Sequence, residues 1–598
     1  MRNLKGPESV PRLRGPEILT EARAADGRTF MAASARAVVW GTGDEGVRSV
    51  LVGGEPILDG ISTSAGVCRA VRLSPGRVRR ELSVAGTLWV EDVLALPAHP
   101  CAVFQWTHQN ADPGDFTLAW DIPGVDPGTC SADGRFLAVE SEGSPHLVFC
   151  MTPEPETWSV QKGADGTHVT SRVKSGAEGV ITLAAVRASD ERQIQNALGA
   201  LKHLTAHEAR LSNELEEARR SALTVATEEP AIDRGFEWSK ARLRATLQVG
   251  GDAKFFPIGT VGAPSPARPA RCERLLGPDL LWTVLGWLAT GDFSSAERGV
   301  RALVGHEAFG WACGQYTCWS GDDRILGELA TTISGWSTRM VGVTGRPAGY
   351  GARGHVALAD AYDGLRDRTA AAFHRQAADA LDSVAEPTVP ADARALSISL
   401  ANPSVIASGL GLDPGGGLAL DASSGPTGGR DHVYDVWRNL VTAGSLQAGV
   451  WTCPPGTESH RTALAALVPA GFLFGVLGAK AEATAGRLHL APHIPPHRSK
   501  FSVANIRVGT ALVHMTYERE GRQHTFSVEQ SEGATPINLV LRPGILTGST
   551  VEASVDGVAA DLDWNEESAG LGWVQAQLPL DTTRTLTLRV PRARPGAP

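Results

Sequence analysis

Short runs that alternate apolar and polar residues, cut by Gly, Asp, Asn and Pro, fill the first third of the chain. RAVVWGTGDEGVRSVLVGGEPIL (36–58) and RRELSVAGTLWVEDVLALPAHPCAVFQWTHQN (79–110) set the pattern. Strands spaced this way predict an antiparallel β-sandwich over residues 1–190. The period then changes. Residues 191–223 are charged, free of Pro and rich in good helix formers, which predicts a long exposed linker helix over 191–227. Pro230 marks the next helix start. From 228 to 484 the spacing is mainly helical, with helices expected at 279–290, 294–305, 323–342, 353–365, 368–384, 431–446 and 459–480. In the first, Leu281, Val284, Leu285 and Leu288 recur at i, i+3, i+4 and i+7, so one face is buried. The stretch 309–319 reads as a loop, and so does the Gly-rich 411–432. Alternation returns over 485–598. There Val513, Met515 and Tyr517 fall on one face and Leu512, His514 and Thr516 on the other, which predicts a C-terminal β-domain.

Composition narrows the class. The chain has 598 residues, enough for three or four domains, with 42% hydrophobic and 20% charged residues. A net charge of −9 argues against a nucleic-acid partner. No run reaches the length of a membrane span, and the first residues hold no apolar core of signal-peptide length, so a cytoplasmic protein is expected. The eight cysteines are scattered. Cys313 and Cys318 lack the paired spacing of a zinc site, so reduced buried thiols are expected and no metal or other cofactor is called for. Ser-nucleophile elbows, Walker loops and His-Glu-x-x-His are missing from the sequence.

Three segments carry a family resemblance. RGFEWSKARLRA (234–245), LGPDLLWTVLGWLATGDFSSAERGVRAL (276–303) and ALVPAGFLFGVLGAKAEATAGRLHLAPHIPPHRSKFSVANIRVG (466–509) resemble the six-hairpin glycosidases, above all bacterial proteins of the amylo-α-1,6-glucosidase, glycogen-debranching type. The resemblance implies a multidomain α+β chain: an N-terminal β-sandwich, a linker helix, an (α/α)6 six-hairpin barrel over 228–484 and a C-terminal β-domain. It implies a glycoside hydrolase acting on an α-glucan-like or related oligosaccharide. Two departures stand out. The Arg that precedes the family's Asp is Pro278 here, and the family's acid-bearing loop corresponds to GRPAGYGARGHVALADAY (345–362), where Asp360 is the first carboxylate. A sugar-binding relative without turnover is therefore an alternative. A phosphate-dependent phosphorylase is another, with Arg353 and His355 as its only hint.

Glycosidic cleavage uses two carboxylates, one to protonate the leaving oxygen and one to activate water or attack carbon. Acids that lead into helices are the candidates. Asp279 follows a plausible N-cap, Gly277, and Pro278 at N1, so favourable contact with the helix dipole accounts for it equally well. Glu458 precedes the last long helix, beside cap residues Thr457 and Ser459, with His460 next to it. Glu273 lies in CERLLG, which is similar to the Asp-Glu-Arg-Leu-Gly of α-rhamnosidases on the same barrel. Asp431 reads as a cap, Asp435 with Trp437 as a pocket contact, and Asp322 and Asp323 as helix-start acids. Sugar C–H faces pack on aromatic rings. Trp282, Trp311, Trp319 and Trp451 are candidate walls, with Gln315 and Tyr316 beside them, while Trp287 and Trp336 read as core.

Overall fold

The computed structural model describes most of residues 5–590. The longer stretches outside the description are 13–19, 24–28, 109–114, 141–145, 250–254, 262–271, 385–428 and 446–461. Chain contacts divide the molecule into two compact units, neither of them continuous in sequence. One comprises 1–217, 244–275 and 446–461; the other comprises 218–243, 276–445 and 462–598.

The first unit is built on two antiparallel sheets, as the alternation predicts. One has nine strands in the order 20–23, 67–74, 77–84, 87–95, 101–108, 180–188, 146–152, 136–139 and 130–133. The other has seven, in the order 157–162, 166–174, 115–123, 55–63, 46–52, 37–42 and 29–33. The strand Cys101–His108 is buried at every position, because its two faces are both covered.

The linker expectation is corrected here. Residues 191–221 do not form one exposed helix. Helix α1 (Glu191–Ala200) and helix α2 (Leu204–Ser221) are separated by a 3-10 turn at Leu201–His203. Ile194, Ala197, Leu198, Leu201 and Leu204 belong to the sandwich core, alongside Leu94, Val103, Val148 and Val186. Charge masked this stripe in the sequence, since apolar positions are few but fall on one face. A buried ion network holds α2 in place. Arg77 pairs with Glu208 of α2 and with Asp92 at 3.1 Å, and Arg79 grips the same Asp92 at 2.7 and 2.9 Å. Beside it Arg80 bonds Glu91 at 2.7 Å, and Trp106 donates to the other oxygen of Glu91 at 2.9 Å.

The second unit is helical and then β-rich. Its helices are α3 (Pro230–Ala245), α4 (Pro278–Thr290), α5 (Phe293–Ala302), α6 (Phe309–Ser320), α7 (Arg324–Glu328), α8 (Ala330–Met340), α9 (Arg346–Gly364), α10 (Arg368–Asp382), α11 (Gly429–Ser445) and α12 (Thr462–Ala470). A π turn over Gly471–Val476 continues α12. The reading of 309–319 as a loop is overturned: it is α6, buried from Phe309 to Trp319. Its near-continuous apolarity hid the helical period, since a helix buried all round has no polar face.

α4, α6, α9 and α12 run in the same direction and pack side by side. Glycine makes this possible. A Cβ on Gly286 would lie 2.8 Å from the Ala466 Cβ, and one on Gly314 would lie 2.4 Å from the Ala357 carbonyl carbon. α5, α8 and α10 return on the outside. Arg339 near the end of α8 bonds the Gly305 carbonyl (3.2 Å), and Gly345 before α9 bonds the Val384 carbonyl just after α10 (3.2 Å). α9 and α10 thus form a hairpin, and α8 ends beside the turn that leads into α6.

The C-terminal ends of the buried helices meet the β region. Gly509 donates to the Trp319 carbonyl (2.7 Å), Lys480 pairs with Asp360 (2.8 Å), and Gly291 lies against Arg507. That region contains a seven-stranded sheet, in the order 224–226, 500–508, 511–520, 523–532, 584–589, 552–555 and 558–560, and a four-stranded sheet of 480–482, 487–490, 538–541 and 576–579. The segment 224–226, inside the expected linker, is therefore a strand of the C-terminal sheet, and strand structure resumes at 480, a few residues before 485. No helix among the described residues is long and apolar enough to cross a membrane.

The glycine contacts give a direct test. Gly314→Ala should destabilise the second unit by about 1–3 kcal/mol, because both partners at that approach are backbone. Gly335→Ala on α8, where a Cβ meets nothing within 4 Å, should be neutral or stabilise by about 0.5–1 kcal/mol. Urea melts of the two variants check the contrast.

Candidate functional site

With their C-terminal ends covered by the β region, the buried helices have their N-terminal ends left for chemistry. Gly277 caps α4 with φ 60° and ψ −136°, Pro278 opens the helix, and Asp279 stands half-buried in its first turn. The capping geometry expected from the sequence is thus present. The Asp279 carbonyl accepts a hydrogen bond from Thr283 Oγ1 at 2.8 Å.

His306 and Glu307 come to the same end from the turn before α6. The His306 ring abuts Gly277, where a Cβ would lie 3.0 Å from its Nε2. The Ala308 N–H donates to His306 Nδ1 (3.1 Å), which leaves the neutral ring's proton on Nε2. Glu307 Oε2 lies 3.5 Å from that Nε2. Burial lowers the His306 pKa, which favours the neutral ring, and the Glu307 carboxylate works against it. The sequence reading missed both residues. Their one signal was position: a His-Glu pair in the short turn between two helices of a hairpin, read instead as running into a loop.

Beneath this end lies an aromatic floor. Trp282 of α4, Trp311 of α6 and Tyr350 of α9 meet with centroids 5.8 to 6.5 Å apart, and the Trp282–Trp311 pair is edge-to-face at 89°. All three are buried, and Trp282 Nε1 has no hydrogen-bond partner among the described residues. α9 repeats the entry of α4: Gly345 caps it with φ 69° and ψ −148°, a Pro sits in its first turn, and its aromatic stands five residues after the cap, as Trp282 does after Gly277. Trp336 joins the floor to the turn. It is wedged between Gly310 and Gly354 and donates Nε1–H to the Glu307 carbonyl at 3.0 Å.

The other candidates separate. Trp319 sits at the opposite end of α6, packed edge-on to Phe474 (5.5 Å), eight residues or about 12 Å along the axis from Trp311. The two cannot form one loop-borne wall. Gln315 and Tyr316 are buried on the same helix, and the Tyr316 hydroxyl donates to Asp322 (3.3 Å). Burial, with Asp322 adding to it, pushes that phenol up to about 12. Asp322 is bonded twice by Arg324, which holds its carboxyl low, and Asp323 precedes α7 as a cap residue. Asp360 faces the β region through Lys480, so it is no substitute for an acid at the α9 entry. Cys313 and Cys318 are free and buried, and burial pushes the Cys313 thiol up to about 12.

Trp437 lies on α11 and donates Nε1–H to the Val468 carbonyl (2.9 Å), while Asp435 is exposed. Trp437, Tyr434, Phe472, Phe501 and Arg498 line a recess. Glu229 clamps Arg498 and Arg438 together there. This recess adjoins the later part of the α12 segment, away from the Asp279 end. Glu273 belongs to strand 272–274 of the first unit, opposite Thr260. Glu458, Trp451, His460 and Asp431's side chain lie outside the described residues. Among the described residues no group of three or more His, Cys, Asp or Glu could hold a metal.

No protein-family model matches this sequence, and no curated protein matches it either. The fold does have solved counterparts. A protein assigned as a kojibiose phosphorylase, from the human microbiome, is similar over 87% of this chain and 95% of its own, at 8% identity and a TM-score of 0.56. A bacterial glucoamylase solved with acarbose is similar over 79% of this chain and 96% of its own, at 10% identity and a TM-score of 0.51. At such identity the likeness is one of fold, and it extends along most of both chains.

Glu307→Gln should lower the His306 pKa further, since the carboxylate is what raises it. An NMR titration of the ring in wild type and variant checks the direction.

Proposed function

We propose that this protein is a carbohydrate-active enzyme that breaks glycosidic bonds, with α-linked, glucan-type oligosaccharides as substrate. The reading rests on one observation: Asp279, His306 and Glu307 gather at the N-terminal end of α4 and α6, above an aromatic floor, in a fold shared with an assigned kojibiose phosphorylase and a glucoamylase. Cleavage needs a proton for the leaving oxygen and a nucleophile for the anomeric carbon. Asp279 is the first proposed carboxylate. Glu307, beside His306 in the same unit, is a described candidate for the second role, and Glu458 and Glu273 remain sequence candidates for it. His306 Nε2–H offers a neutral donor to a sugar hydroxyl or to Glu307. The proposal extends to a glycogen-debranching-type, α-1,6-directed specificity, an (α/α)6 closure of the helices and a cytoplasmic site of action.

A phosphate-dependent reaction is the second reading, and one feature favours it. The α9 entry, from Arg346 to Ala359, carries no carboxylate. If phosphate attacks the anomeric carbon, a single acid to protonate the departing oxygen suffices, and sugar 1-phosphate is the product.

The test is product release from α- and β-linked oligosaccharides, α-1,6 linkages included, with and without phosphate. Free sugar without phosphate identifies hydrolysis, and sugar phosphate formed only with phosphate identifies phosphorolysis. Asp279→Asn should cut kcat about 10²- to 10⁴-fold. It should cost no more than about 2 kcal/mol of stability, the upper value for a partly buried first-turn acid. Full activity in this variant would return Asp279 to a purely capping role.

A further inference from the structure

His355 of α9 and His374 of α10 lie buried against each other, with 1% and 4% of their surface exposed. Their Nδ1 atoms are 2.7 Å apart. Such a contact demands unlike partners: one ring carries the proton on Nδ1 and donates, the other presents a lone pair and is neutral. Burial disfavours the charged form of the donor as well, and the pair joins the outer helix to the buried one.

Among the described residues the surroundings offer no charge to compensate a proton. Trp336 of α8 covers His355 at 4.8 Å, Tyr362 of α9 stacks on His374 at 5.5 Å and 6°, and Phe373 packs edge-on to both rings. From α6 the buried Cys313 is felt at Tyr362, and Asp367 before α10 is felt there too. The Arg375–Asp363 pair between α10 and α9 is about half exposed and satisfies itself. Among the described residues the one charge felt at His355 is that of His374 itself, and it opposes protonation.

We propose that the His355–His374 contact is a proton-operated latch, which holds α10 on α9 at neutral pH and releases it in acid. The sign follows from burial. Both rings titrate near 4 when docked and near 6.5 when exposed, so the undocked state binds more protons between those values. Docking is complete above about pH 6.5 and weakens as pH falls toward 4. Two such groups raise the opening constant roughly 100-fold or more between pH 7 and pH 5. The proposal does not depend on the catalytic reading.

Hydrogen exchange of the full chain tests it, with rates corrected for intrinsic pH dependence. Amides of α10 should lose protection between pH 7 and pH 5 by roughly 100-fold, while those of α4 keep theirs. His374→Leu should flatten the pH response of α10, and His355→Leu/His374→Met provides a second apolar pair should the single variant fold poorly. Equal loss in α10 and α4 would mean global unfolding and overturn the latch. So would a pH-independent α10, or a response unchanged in the folded apolar variants.

Discussion

Everything in the second unit depends on how closely its buried helices approach. Gly286 against Ala466 and Gly314 against Ala357 leave no room for a methyl group. Trp336 enters between Gly310 and Gly354 because neither has one. Once helices pack this closely they act as a single rigid block, since interiors at crystal-like density transmit small shifts rather than absorb them. That block fixes where the first turns of α4, α6 and α9 stand, to within the tolerance that chemistry requires.

The two ends of the block have different fates. Strands and turns of residues 480–509 bond directly to the C-terminal ends, where carbonyl groups and the negative ends of the dipoles accumulate, and Lys480 and Arg507 approach there. The opposite end gathers positive partial charge, which favours carboxylates in their ionised form. Asp279 in a first turn and Glu307 just before another occupy that end.

The strands were legible in the sequence because alternation reports a half-buried surface directly. So was the α4 entry, where Gly277, Pro278 and Asp279 each obey a local capping rule. What failed was everything set by tertiary contact. α6 was read as a loop because complete burial erased its period, and that error placed Trp311 and Trp319 in one wall although they lie at opposite ends of a helix. α1 was read as solvated because its few apolar residues look unimportant until a sheet covers them. His306 and Glu307 escaped because their significance comes from Gly277, some thirty residues away in the chain. Tyr350 escaped because a lone Tyr in a Gly-rich segment gives no sign of two tryptophans beside it.

Gly277 and Gly345 share a backbone conformation that side chains exclude, and each has a Pro within the next two residues and an aromatic ring at the fifth. The same entry is thus built twice, yet the second residue after the cap is Asp279 in one and Pro347 in the other. The entry therefore works as a socket whose form is independent of what it holds. The side chain at such a position can change without redesigning the turn, whereas the glycine cannot, because φ near +60° with ψ near −140° excludes a Cβ.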